Sequence, residues 1–91
     1  MQYKNSKSLH LINVIGKVVK ELRQANSKSS LNIFAYEYEL TPGNLCRIEN
    51  GKIEPKITML WRIAEALGIP LSELIRRVEN EVGSDFSIID K

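Results

Sequence analysis

The stretch TPGNLCRIENGKIEP, residues 41–55, decides the fold because it contains a complete short helix with start and stop signals. Thr41 is a residue type that caps helix starts, and Pro42 suits the first helical position, where a missing N–H leaves no bond unmade. Leu45 and Ile48 supply an apolar face, and Gly51 is a typical helix stop. The stretch predicts a helix of about two turns.

Helical geometry of about 100° per residue divides this helix into an inner and an outer side. With Leu45 and Ile48 facing inward, Glu49 lies at the inner boundary. The outer side carries Gly43, Cys46, Arg47 and Asn50, flanked by Pro42 and Asn44. Arginine pairs with guanine edges and asparagine with adenine or phosphate, and a helix start attracts phosphate. Solvated polar faces are commoner than DNA-reading ones, so these residues alone leave both interpretations open.

The rest of the chain predicts four more helices and no strand. Apolar residues recur at helical spacing over residues 9–26, about 30–38, 58–67 and from about 70 onward. They are Leu11, Ile15, Val18, Val19 and Leu22; Leu31, Phe34, Ala35 and Tyr38; Leu60, Ile63, Ala64 and Leu67; and Leu71, Leu74, Ile75 and Val78. We expect an all-α fold of five short helices, with an N-terminal arm over residues 1–8, one domain over 9–79 and a C-terminal tail over 80–91.

Length and composition fit one small globular domain. The chain has 91 residues, of which 43% are hydrophobic and 26% charged. Its apolar runs are too short for a membrane span, and its start lacks the features of a signal peptide. A single cysteine cannot form an intramolecular disulfide, which fits a reducing, cytoplasmic location.

The charge is unevenly distributed. Residues 1–36 carry six Lys and Arg against one Glu, a net of +5, while the remainder carries seven against ten acids, a net of −3. This asymmetry is typical of a protein that meets a polyanion on one side. Two solvated surfaces without a partner explain it equally well.

Catalytic and metal-binding patterns are missing from the sequence. There is no nucleophile–base pair, Gly-rich phosphate loop or metal-ligand cluster, and His10 is the only histidine. We therefore expect no enzyme activity and no cofactor. Cys46 is interpreted as a small side chain rather than a redox switch. Trp61, beside Leu60 on an amphipathic helix, is expected to be a half-buried packing residue.

Three segments resemble the DNA-binding domain of phage repressors and Cro, the Xre-like helix-turn-helix family. They are IGKVVKELR (15–23), LNIFAYEYELTPGNLCRIENGK (31–52) and PKITMLWRIAEALGIPLSELI (55–75). These segments cover about two thirds of the chain in unbroken order, and RIENGK-x-x-P followed by LxxIAEALGIPLSEL is the most specific part. The resemblance implies a lambda-repressor-like fold whose second and third helices form the helix-turn-helix, with the third helix in the major groove of double-stranded DNA.

The resemblance also implies a transcriptional regulator, a repressor that binds an inverted-repeat operator as a homodimer. The expected base-facing residues are Pro42, Gly43, Cys46 and Arg47. The expected phosphate contacts are Ser30, Asn44, Asn50, Lys52 and Lys56. Arg23 and Glu49 match a partly buried ion pair of the family.

Two departures from the family pattern keep an alternative function open. Leu31 stands where the family usually has a glutamine, and Pro42 and Gly43 offer no hydrogen-bonding side chains. Base reading would therefore rest mostly on Arg47. The alternative is a protein-interaction module, such as an antitoxin-like partner, or a fold relative with weak or lost DNA binding.

Leftover apolar residues near the C-terminus predict a contact with a second copy of the chain. They are Val78, Val82, Phe86, Ile88 and Ile89. A domain this small reads only a few base pairs, so a symmetric dimer on two half-sites is expected. A tail folded onto its own core explains the same residues.

Overall fold

The computed structural model describes residues 6–26, 31–37 and 40–89, and within these ranges it contains five helices and no strand. The helices are α1 (Ser6–Asn26), α2 (Leu31–Glu37), α3 (Pro42–Glu49), α4 (Ile57–Leu67) and α5 (Leu71–Val82). The prediction of an all-α fold with five helices is confirmed.

The ends of two helices differ from the expected ones. Helix α1 begins at Ser6, three residues before the expected start, and α5 continues to Val82. Both expected domain divisions, after residues 8 and 79, therefore fall inside a helix. Nothing in the flanking polar residues breaks a helix, and α5 ends only where Gly83 follows.

The apolar faces of the five helices meet in one core. Leu45, Ile48, Ile63 and Leu74 are at most 2% exposed. Most of the expected core residues are buried with them, namely Val18, Val19, Leu22, Phe34, Ala35, Leu60, Ala64, Leu67 and Val78. Leu11, Ile15, Leu31, Leu71 and Ile75 are half-buried and pack against the edge of this core. Tyr38 lies outside the described residues.

Two glycines allow α1 and α3 to approach closely. A Cβ atom on Gly16 of α1 would lie 2.2 Å from the carbonyl oxygen of Ile48 and 2.9 Å from that of Glu49. Gly51, just after α3, has φ of 69°, and a Cβ there would lie 1.9 Å from Asn13 Oδ1. These contacts fix α3 against α1 at backbone distance. Helix α3 also packs against α2, whereas α4 and α5 pack against each other and against α1.

The segment after α5 folds back onto α1. The Phe86 ring lies 5.9 Å from the His10 ring, and Lys7 Nζ donates a hydrogen bond of 3.2 Å to the backbone oxygen of Ile89. Lys17 forms an ion pair with Glu81 near the end of α5. These contacts correspond to the alternative of a tail folded onto its own domain.

Two sequence-based expectations need correction. Val78 is 5% exposed because it continues the inward face of α5 that begins at Leu74. It is buried in the core of its own chain and is therefore not available for the expected dimer contact. Trp61 is 57% exposed rather than half-buried. It lies on α4 one residue after the buried Leu60, and that single step turns its side chain outward.

Candidate nucleic-acid interface

The outer face of α3 is the candidate interface. Gly43, Cys46, Arg47 and Asn50 are exposed, and Pro42 and Asn44 are half-buried at its sides. On the opposite side Leu45, Ile48 and Glu49 are buried. The division into inner and outer residues that helical geometry predicted is therefore confirmed by their exposure.

A hydrogen bond along α3 orients the Arg47 side chain. Its Nη1 donates to Asn44 Oδ1 at 3.0 Å, and a Cβ built on Gly43 would lie 3.7 Å from the same nitrogen. The guanidinium thus extends over Gly43 toward the start of the helix. Because this bond uses only one of its several N–H donors, the remaining donors are available to a ligand at the outer face.

The start of α3 exposes backbone donors. Thr41 has the extended backbone of an N-cap residue, but its side chain makes no cap hydrogen bond. Pro42 has no N–H, and the first helical bond runs from Leu45 N to Thr41 O at 2.9 Å. The N–H groups of Gly43 and Asn44 therefore have no partner within the helix, which is the arrangement that suits phosphate oxygens.

The carbonyl groups at the end of α3 accept hydrogen bonds from within the protein. Asn50 Nδ2 donates to Cys46 O at 2.9 Å and lies 3.3 Å from Cys46 Sγ. The backbone N–H groups of Asn50, Gly51 and Lys52 donate to the carbonyls of Cys46, Ile48 and Arg47. The N–H donors of Asn50 thus cap the end of α3, a role that the resemblance to the family did not predict. The Lys52 side chain is exposed and remains a candidate for phosphate contact.

Cationic residues flank the groove between α3 and α4. The groove has a volume of about 360 Å³ and is lined by Asn44, Lys56, Thr58 and Arg62 among others. Arg62 was missed in the sequence, although its position one helical turn after Thr58 places both on one face of α4. Ser30, the remaining expected phosphate contact, lies outside the described residues.

The expected Arg23–Glu49 ion pair is present and buried. Arg23 Nε donates to Glu49 Oε2 at 2.7 Å and Nη2 donates to Oε1 at 3.0 Å, and the two residues are 6% and 7% exposed. The hydrogen bond to Glu49 is the main cause that raises the pKa of Arg23. The pair ties α1 to the last residue of α3, so it holds the interface helix rather than forming part of its outer face.

The part of the chain that the structure describes contains neither a cluster of metal ligands nor a membrane-spanning helix. Its residues contain no group of three or more His, Cys, Asp or Glu arranged to hold a metal ion. None of its helices has the length and apolar character needed to cross a membrane.

Comparisons with known proteins agree with this arrangement. A family model described as helix-turn-helix matches residues 37–74, which contain α3 and α4. The control protein C.MunI from a Mycoplasma species is 36% identical over 66 residues, which are 72% of this chain and 89% of C.MunI. The crystal structure of the clp gene regulator ClgR from C. glutamicum has a similar fold, with a TM-score of 0.71 at 21% identity. That likeness covers 82% of this chain and 96% of the ClgR chain.

Proposed function

We propose how this chain, which belongs to the Xre-like helix-turn-helix family of DNA-binding transcriptional regulators, recognises its operator. Two copies bind an inverted repeat, each with α3 in the major groove, and the bound dimer represses transcription. The observation that carries this proposal is the exposed Arg47 guanidinium, held over Gly43 by Asn44 on the outer face of α3.

Base reading is concentrated on Arg47. Its free guanidinium donors pair with the O6 and N7 acceptors of a guanine. Pro42 and Gly43 have no hydrogen-bonding side chain, and the small Cys46 contributes close contact rather than charge. Each copy therefore discriminates only modestly between DNA sequences. Specificity rises because two half-sites are read and because the shape of the DNA depends on its sequence.

Phosphate contacts set the register of α3 on the duplex. The backbone N–H groups of Gly43 and Asn44, which have no partner within the helix, donate hydrogen bonds to one phosphate, and the Asn44 side-chain amide can add a donor. Lys52 and Lys56 contact neighbouring phosphates, with Ser30 assigned the same role by the resemblance. Asn50 keeps its bond to Cys46 and supports the helix end instead of donating to DNA.

A homodimer follows from the size of the interface. Helix α3 spans eight residues and carries a single arginine, so one copy reads too few base pairs for an operator. A symmetric pair reads two half-sites and doubles the number of specific contacts. A dimer seated on its operator occupies the groove and excludes other proteins, which is the physical basis of repression.

The alternative is a protein-interaction module, and Leu31 is the observation that favours it. Leu31 packs against the core, where the family usually has a glutamine that touches phosphate. A protein of this kind, an antitoxin-like partner for example, would use the same surfaces to bind another protein and would not retain DNA.

Salt dependence of binding to a labelled random duplex separates the two functions. For a DNA-binding protein we expect measurable affinity at about 50 mM salt and a steep loss by about 200 mM, with a log–log slope of roughly −0.9 per phosphate contacted. Lys52→Ala and Lys56→Ala should each flatten that slope. No retention of duplex at about 50 mM salt would instead favour the protein-interaction module.

A further inference from the structure

Arg62 is an exposed arginine of α4 that lines the groove between α3 and α4. It follows Thr58 by one helical turn, and both residues stand on the groove side of α4. Side chains of an α-helix lean toward its N-terminus. The Arg62 side chain therefore leans back over the first turn of α4, on the side where the groove lies.

The two walls of this groove are joined at one end by the linker between the helices. Asn44 and Ile48 belong to the α3 wall. Thr58 and Arg62 belong to the α4 wall, and residues 53–56 close the end of the groove. Ile48 and Thr58 are the pair nearer to the linker along the chain, whereas Asn44 and Arg62 each lie one helical turn further from it. Asn44 and Arg62 therefore face each other at the end of the groove remote from the linker.

This end of the groove is rich in hydrogen-bond donors. Asn44 Oδ1 already accepts the bond from Arg47, so the Asn44 side-chain amide offers its NH₂ group to a further partner. The guanidinium of Arg62 is a planar fork of N–H donors, a shape that matches the oxygens of a phosphate. Donors from two helices thus converge on a place that suits an anion with several acceptor oxygens.

The floor of the groove is apolar. Ile53 and Met59 are half-buried, pack against the core and line the groove. A deoxyribose presents C–H groups beside its charged phosphate, so one sugar-phosphate unit has both kinds of surface that the groove offers. The groove volume of about 360 Å³ is at the lower end of the range for small-ligand sites, which suits a unit of this size.

The groove lies where a DNA strand would pass. With α3 in the major groove, the sides of α3 face the sugar-phosphate strands that border that groove. Helix α2 packs against α3, and the groove that Arg62 lines opens along another side of α3. We infer that Arg62 binds a DNA phosphate in this groove, opposite Asn44. The inference rests on the proposed function and adds a residue of α4 to the contacts assigned there.

Glu54 limits the strength of this contact. Lys56 and Arg62 bring two positive charges to the groove lining, against the single negative charge of Glu54. The net charge favours an anion, but the carboxylate repels it because the two charges have the same sign. Removing the charge of Glu54 should therefore strengthen DNA binding, which is the opposite of the effect of removing Arg62.

The salt dependence of binding to a labelled random duplex tests the contact. Loss of one phosphate contact should reduce the log–log slope by about 0.9 and weaken binding roughly tenfold at about 50 mM salt. We expect both changes for Arg62→Ala. Arg62→Lys keeps the positive charge and should restore most of the slope. Arg76→Ala removes an equally charged, exposed side chain on α5 and should bind as the wild type does.

Two further measurements separate a DNA contact from a role in folding. Urea denaturation should give Arg62→Ala nearly wild-type stability, because the side chain is exposed and lies outside the core. Glu54→Gln should tighten binding to the same duplex several-fold at low salt. This second variant keeps Arg62 in place, so its effect does not depend on how well Arg62→Ala folds.

The outcomes separate this inference from the proposed function. Wild-type binding with the same salt slope in Arg62→Ala, or with an equal reduction in Arg76→Ala, overturns the inference and leaves the proposed function standing. A loss confined to particular sequences also overturns it, because a phosphate contact is blind to sequence. A Glu54→Gln variant that binds no more tightly than the wild type counts against it as well. No retention of duplex by the wild type at about 50 mM salt overturns both proposals.

Discussion

Arg23 and Glu49 join α1 to the end of α3 through two parallel hydrogen bonds of 2.7 and 3.0 Å inside the protein. Both residues are almost fully buried, and each satisfies the charge of the other. The pair sits where Gly16 allows the two helices to touch, so charge and close backbone packing together fix the orientation of α3. In the proposed complex, that orientation determines which face of α3 reaches the DNA.

Arg23→Ala should strongly destabilise the fold. The substitution leaves the Glu49 carboxylate buried without a partner, and the free energy of unfolding should fall by about 3–5 kcal/mol. Urea denaturation measures it. Lys17→Ala, which removes an exposed ion pair with Glu81, should change stability little. Equal stability of Arg23→Ala and the wild type would contradict a structural role for the pair.

Gly16→Ala and Gly43→Ala should differ sharply in their effect on the stability of the fold. A Cβ on Gly16 meets two backbone carbonyl oxygens of α3, and neither can move without shifting that helix. We expect a loss of about 1–3 kcal/mol or more. A Cβ on Gly43 meets only Arg47 Nη1 at an ordinary contact distance, so this variant should keep wild-type stability. Similar thermal unfolding midpoints for the two variants would contradict the close backbone contact between α1 and α3.

Asn44→Ala should relax specificity more than affinity. Without Asn44 Oδ1 the Arg47 guanidinium loses the bond that holds it over Gly43. A bidentate pair contributes roughly 1–3 kcal/mol of discrimination against the wrong base, and we expect the substitution to remove part of that discrimination. Lys52→Ala is the comparison, because a phosphate contact should weaken all sequences alike and reduce the salt slope by about 1. Competition titrations with duplexes that differ at one base pair distinguish these effects. An equal loss on every duplex would reduce Asn44 to a phosphate contact.

The stability contribution of Glu73 should depend on pH. Its carboxylate pairs with Arg76 and Arg77 on α5, and the hydrogen bond from Arg76 is the main cause that lowers the pKa of Glu73. Because the folded pKa is lower than the unfolded one, this stabilisation is present above the unfolded pKa and is lost as pH falls through the folded pKa. The stability difference between wild type and Glu73→Gln should therefore shrink on acidification. Urea denaturation at a series of pH values measures it, and a difference independent of pH would contradict the pairing.

Much of the fold could be predicted because its helices are amphipathic and carry local end signals. The periodic apolar residues identified all five helices, and two buried residues, Leu45 and Ile48, were enough to orient the outer face of α3. The pairing of Arg23 with Glu49 could not be predicted from local periodicity. Residues 26 positions apart on separate helices pair only through the tertiary fold, so resemblance to a family, not periodicity, supplied that prediction.

The features that sequence reasoning missed depend on how helices are arranged in space. Trp61 was expected to be half-buried because it adjoins a core residue, but one step along α4 turns its side chain away from the buried face. Val78 looked available for a partner, yet it extends the buried face of α5. The hydrogen bond from the Asn50 amide back to Cys46 O was not predicted either, because only side-chain geometry reveals it.

We propose that Arg47 on α3 reads a guanine in each half-site of an operator. Selection from a randomised duplex library, with the wild type, Arg47→Ala and Lys52→Ala in parallel, tests it most directly. The wild type should enrich an inverted repeat with one guanine in each half-site. Arg47→Ala should lose the preference at that position alone, whereas Lys52→Ala should keep the same sequence with weaker retention. Enrichment of the same guanine by Arg47→Ala, or of no sequence by the wild type, would contradict the claim.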